Sequence, residues 1–246
     1  MKSGRSALLI ADIGGYTDYM STHRFTLAHA EVNTARMLER MIDAAPGWEL
    51  VEIEGDAAFL ARAVPDGADA VALEQVLRAA VDMHRAFHLE RQYVAANLCP
   101  CAGCKEAARL KLKFVAHVGD VATQAIRDRT KLVGIDVILV HRLLKNPVDI
   151  PEYVLLTEEL HRAGVADLPA RVGEVTPELE GFGTVRAYFV DVGELGDSLP
   201  PLPAPRWRGR LGATFRAAGE GMPYLLGLRK LRAGRAHSEH TTAPQH

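Results

Sequence analysis

Asp12 and Asp56 are the residues of this 246-residue chain best placed to do chemistry, because each carboxylate closes an apolar run beside glycine. The first lies in Ala11-Asp12-Ile13-Gly14-Gly15-Tyr16-Thr17, directly after Ala7-Leu8-Leu9-Ile10. The second lies in Glu54-Gly55-Asp56-Ala57, between two strand-like runs at residues 48–53 and 57–60. Glycines following a strand let main-chain amides turn close to an anion. Two carboxylates on neighbouring strand ends can share divalent cations, and such ions bind a triphosphate and activate an attacking oxygen. Taken singly, Asp12 could instead cap a helix, and Asp56 could be an ordinary hairpin-turn residue.

Positioning that pair requires a regular scaffold, and the hydrophobic pattern supplies one. Apolar spacing over residues 26–44 predicts a one-sided helix that joins the Asp12 strand to the Asp56 hairpin. A second helix is expected over 69–93, after the turn Pro65-Asp66-Gly67. Residues 110–118 alternate as a strand, and Gly119-Asp120 is read as a turn into a partner strand at 121–124. A helix over 135–145 must stop before Asn146-Pro147, and strands are expected at 153–157 and 185–190. The pattern is α+β, with an antiparallel-rich, ferredoxin-like sheet and helices packed on it.

The two aspartates and the segment Gly134-Ile135-Asp136-Val137-Ile138-Leu139-Val140-His141-Arg142-Leu143 resemble the class III nucleotidyl cyclases over roughly residues 6–192, in the same order and spacing. The resemblance implies a homodimeric cyclase-homology domain in which Asp12, Ile13 and Asp56 hold Mg2+ or Mn2+. Ile13, Gly14, Gly15, Tyr16 and Thr17 would then line the nucleoside triphosphate. Arg142 takes the place of the family's transition-state arginine and would reach the partner's phosphates. Three positions depart from the pattern. Ile138 replaces the ribose-orienting asparagine, Glu52 replaces the base-reading lysine of adenylyl cyclases, and Lys131 stands where those enzymes have aspartate. The ending Arg142-Leu143-Leu144-Lys145-Asn146 resembles a subgroup of cyclase-like proteins. Glu52 and Lys131 either read an oxo-bearing base or form a surface ion pair. Either a cyclase with altered base preference or an inactive nucleotide-binding sensor or interaction module is consistent with these departures.

Composition bounds the remainder. With 48% hydrophobic residues the chain can bury one sizeable core, assigned to residues 1–195. Residues 196–205 read as a proline-rich linker, and 206–246 as a basic, partly apolar tail. Residues 206–235 carry eight basic groups against Glu220, a net +7, so the remainder carries −9. Such a tail suits either peripheral contact with an anionic membrane or docking on the acidic body. Nucleic-acid binding is not expected, because no reading element accompanies the charge. Too few apolar residues precede Asp12 for a signal peptide or membrane span, so a cytoplasmic location is expected. Cys99, Cys101 and Cys104 are too few and too crowded for a disulfide framework. They are either reduced thiols or part of a structural zinc site completed by His84, His88 or His117.

Overall fold

The computed structural model describes residues 4–22, 27–97, 106–127, 129–164 and 170–196. The cysteines, residues 197–205 of the proline-rich linker and the basic tail lie outside them.

The sheet is built around β1 (Gly4–Gly14), whose residues Ser6 to Ala11 are all buried, as a strand covered on both faces must be. β1 pairs antiparallel with β3 (Ala57–Ala63) on one side and β4 (Lys111–Ile126) on the other. Beyond β3 lies the edge strand β2 (Glu49–Glu54). Beyond β4 come β6 (Tyr153–Thr157), β10 (Ala187–Asp191) and β7 (Val172–Val175), giving the order β2-β3-β1-β4-β6-β10-β7. The β4–β6 pair is parallel and the other pairs along this path are antiparallel. β5 (Arg129–Val133) folds back on the far half of β4, and β8 (Glu178–Leu179) with β9 (Gly183–Thr184) makes a separate ribbon.

Because side chains alternate along a strand, the sheet has two distinct faces. Ala7, Leu9 and Ala11 of β1, with Leu112, Phe114 and Ala116 of β4, belong to the core beneath α2 (Leu27–Asp43) and α3 (Asp69–Asn97). Leu8 and Ile10, with Val115 and Val121, belong to the core beneath α4 (Ile135–Arg142). Short helices α1 (Tyr16–Thr22), α5 (Glu158–Arg162) and α6 (Val192–Leu195) complete the described elements.

The expected helices and the 153–157 strand form, while α3 continues past residue 93 to Asn97, α4 ends at Arg142 short of the expected residue 145, and the strand expected at 185–190 runs Ala187–Asp191. One expectation fails. Gly119-Asp120 is not a turn: β4 runs unbroken through it for 16 residues, and the reversal comes after Ile126. Gly119 serves close packing instead. A Cβ there would lie 2.3 Å from the Asp136 carboxylate carbon and 2.6 Å from His117 Nε2, and Asp136 accepts the Asp120 N–H at 2.7 Å.

Candidate metal and nucleotide site

Asp12 continues the Leu8, Ile10 series, so its side chain falls on the α4 face of the sheet. Across the ladder it opposes Ala57, which puts Asp56 one residue beyond it, in the turn between β2 and β3. Gly55, at φ 65°, makes that two-residue turn possible. The Ile13 N–H donates to the Asp56 carbonyl at 3.3 Å, fastening the turn to the end of β1. Ile13 itself is buried, whereas Gly15 and Thr17 are exposed and Tyr16 is half-buried against the core. Gly15, at φ 81°, bends the chain from β1 into α1, and its carbonyl accepts the Tyr19 N–H.

On its other side Asp12 opposes Lys113, whose Nζ sits 2.9 Å from Asp12 Oδ2. Burial alone would lower the Lys113 pKa. The hydrogen bond to Asp12, together with the charges of Asp12 and Asp56, outweighs burial and raises it. Burial, followed by the neighbouring Asp12 charge, holds the Asp56 carboxyl above its ordinary range. Two carboxylates and one ammonium thus share a partly buried corner with net negative charge. Hard oxygen donors of this kind fit Mg2+ or Mn2+, and Asp56 is the carboxylate that an added cation would favour in its charged form. Lys113 escaped the sequence reading; the alternation of Lys111-Leu112-Lys113-Phe114 sets it opposite the apolar face, and the β1–β4 register brings it to Asp12.

The other expected residues gather on the surface formed by β2, β5 and α4. Glu52 Oε2 and Lys131 Nζ lie 3.5 Å apart within one chain, a solvent-facing pair. Glu54 lies 3.5 Å from His141 on α4, whose ring meets Phe59 edge-on. Arg142 is exposed and its guanidinium lies 2.5 Å from Glu180, between β8 and β9. Ile138 and Ile135 on α4 are 49% and 61% exposed, and Ile53 on β2 is 48% exposed. Asn146 cannot replace the missing ribose contact. Its side chain is held by the Leu143 carbonyl, the Tyr153 hydroxyl and the Val148 N–H.

The histidines separate into two groups. His117 faces α4, with Nδ1 2.8 Å from Thr157 Oγ1 and Nε2 3.2 Å from Asp136. His84 and His88 lie on α3, across the sheet, so His117 cannot join them in one metal site. They meet Glu152 instead, a residue the sequence reading did not select. His88 Nε2 lies 2.7 Å from Glu152 Oε1, and His84 Nε2 lies 3.6 Å from Oε2. Burial pushes the Glu152 carboxyl up, but the two rings and the Leu112 N–H pull it well below the usual carboxylate range. Burial lowers the His88 pKa more than Glu152 raises it.

Comparison with known proteins supports the fold. A family described as "Protein of unknown function (DUF2652)" matches residues 34–153. The Mycobacterium tuberculosis (strain ATCC 25618 / H37Rv) protein described as "Uncharacterized protein Rv2561/Rv2562" is 35% identical over 201 residues, 81% of this chain and 92% of that protein. Among solved structures, the guanylyl cyclase Cya2 superimposes with a TM-score of 0.60 at 20% identity, covering 79% of this chain and 96% of its own. The GTP-bound guanylate cyclase domain of RhGC from Catenaria anguillulae gives 0.58 at 16% identity, over 77% of this chain and 98% of that one. The adenylyl cyclase CyaB from P. aeruginosa gives 0.54 at 18% identity, over 82% and 98%. No described helix is long and apolar enough to cross a membrane. The chain therefore belongs to the same family as the mycobacterial protein, and it carries the fold of the class III adenylyl and guanylyl cyclase domains.

Proposed function

We propose that this chain is a homodimeric, divalent-metal-dependent nucleotidyl cyclase-like protein that converts a nucleoside triphosphate to a cyclic mononucleotide. The observation that carries the reading is the juxtaposition of Asp12 and Asp56 at adjoining strand ends, on a fold whose solved relatives include a GTP-bound cyclase domain. Asp12 and Asp56 would hold Mg2+ or Mn2+, with Ile13 supplying main chain. Bound there, such ions neutralise phosphate charge and stabilise the charge that develops during displacement. Gly14 to Thr17 give the phosphates a bend of backbone beside the metals.

The substrate's own 3′ oxygen forms a bond to the α-phosphorus while the bond from that phosphorus to the β-phosphate's bridging oxygen breaks. Pyrophosphate leaves with the electron pair, and the hydroxyl proton passes to solvent. Arg142 of the second protomer would exchange Glu180 for the phosphates and spread the developing charge. The exposed Ile53, Ile135 and Ile138 support a dimer interface along β2 and α4, since an apolar patch beside a site is commonly covered by a partner. Glu52 and Lys131 supply an acceptor and a donor at the base position, suited to an oxo-bearing base.

A nucleotide-binding sensor is the second reading, and Ile138 favours it. With an apolar side chain at that position and Asn146 engaged elsewhere, neither residue orients the ribose, which weakens positional catalysis. The deciding experiment incubates the protein with each nucleoside triphosphate and Mn2+ and identifies products by mass. Formation of a cyclic mononucleotide and pyrophosphate supports the enzyme. Metal-dependent binding with no product supports the sensor.

A further inference from the structure

We propose that His84, His88 and Glu152 form a zinc site that clamps α3 to the starts of β4 and β6, separate from the Asp12 corner and independent of whether that corner binds nucleotide. His84 and His88 are four residues apart on one helix, so their rings rise from the same face, with centroids 4.2 Å apart. Glu152 comes from the chain just before β6 and meets both. Each of the three side chains offers one ligand atom, and these atoms lie within 4.8 Å of one another. Two imidazole nitrogens and one carboxylate are a donor set that Zn2+ accepts, leaving a fourth position for water.

His88 hydrogen-bonds Glu152 at 2.7 Å, whereas the separation between His84 and Glu152 suits a shared ion. Donors 2.0–2.1 Å from a tetrahedral zinc stand about 3.3 Å apart. His84 Nε2 is buried, has no hydrogen-bond partner among the described residues, and faces Glu152 Oε2 at 3.6 Å, too far for a hydrogen bond and close to that spacing. His88, whose side chain is 5% exposed, would exchange its 2.7 Å contact with Oε1 for the metal. Glu152 is already oriented by the Leu112 N–H at 3.0 Å, the kind of outer contact that fixes a carboxylate ligand. Lys111 Nζ, 3.9 Å from Oε2, partly balances the carboxylate charge. Arg91, from the next turn of α3, donates to the Leu110 carbonyl and brings the β4 approach alongside. Bound zinc would therefore join three elements that the described structure connects through Glu152, Leu112 and Arg91.

The test uses the full chain stripped with chelator, titrated with Zn2+ against a chromophoric competitor and with Co2+ as a spectroscopic probe. The proposal expects one Zn2+ per chain and a melting temperature that rises on binding. It also expects Co2+ bands without thiolate charge transfer, and retention of the site in the triple variant C99S/C101S/C104S. His84, at the rim of the cluster, is the safer residue to remove, and His84→Ala should weaken Zn2+ at least tenfold, with Glu152→Gln as a second variant. Far-UV circular dichroism checks that both fold. If neither does, the Co2+ spectrum of the unaltered chain decides. No zinc binding, unchanged affinity in folded His84→Ala, or a charge-transfer band that disappears in the triple variant would each overturn it.

Discussion

Lys113 Nζ lies 2.9 Å from Asp12 Oδ2 because the two residues face each other across the β1–β4 ladder. The ammonium occupies one side of the carboxylate that would hold a divalent cation. A metal binding to the nucleotide-free protein must share Asp12 with it. Lys113→Met should then tighten Mn2+ binding to the nucleotide-free protein by roughly three- to tenfold, as expected when an opposing unit charge leaves a partly buried site. Calorimetric titration with Mn2+ measures this. Weaker binding in the variant would mean that the lysine organises the carboxylates and does not compete for them.

Glu52 and Lys131 meet in the structure, so each single charge change converts an attraction into a repulsion. Glu52→Lys sets two ammonium groups together, and Lys131→Asp sets two carboxylates together. The combined variant restores an opposite pair with the polarity seen in adenylyl cyclases. It should shift nucleotide preference towards ATP by more than the sum of the single changes, with Asp12 still required. The native pair is solvent-facing and contributes under about 1 kcal/mol, so melting temperatures should change little. Relative affinities for the four triphosphates provide the readout. Indifference to all three variants would reduce the pair to surface charge.

Arg5 grips Asp69 with two hydrogen bonds, Nε at 2.9 Å and Nη2 at 2.7 Å, tying the start of β1 to the start of α3. The hydrogen bonds from Arg5 hold the Asp69 carboxyl below its ordinary value of 3.8. A carboxylate whose folded pKa is depressed stabilises the fold above its unfolded pKa, and that contribution is lost as pH falls through the folded value. Asp69→Asn should therefore cost about 0.5–1 kcal/mol at neutral pH, since the pair is partly solvated. The difference should shrink on acidification below roughly pH 3.8. Denaturant melts of both proteins between pH 3 and pH 7 test the sign. A difference that grows on acidification would contradict it.

How far the sequence discloses this molecule depends on whether a feature is local. The strand at 153–157, the helix that became α2 and the placing of Asp12 and Asp56 at strand ends follow from short-range apolar spacing. Gly119 misled because a glycine followed by aspartate is a turn signal in isolation. Its actual cause, the close approach of Asp136 on α4, is a contact across 17 residues that spacing does not report. Glu152 was invisible for the same reason, standing 64 residues from His88. Strand alternation sets Lys113 opposite the core face of Leu112 and Phe114, but only the β1–β4 register brings it to Asp12. β7 was missed because its four residues are too short for a pattern, and Gly173 lets the Phe189 ring pack against the strand.

Nucleotide binding in the presence and absence of Mn2+, measured for the native protein, Asp12→Ala and Asp56→Ala, is the most direct test of the two-carboxylate site. Neither aspartate packs in the interior of a core, so both variants should retain their far-UV spectra. The native protein should bind a nucleoside triphosphate only with the metal, and each alanine variant should lose that metal-dependent affinity by at least a hundredfold, because the cations that neutralise the phosphates have lost a carboxylate. Unchanged affinity in both folded variants would contradict the account.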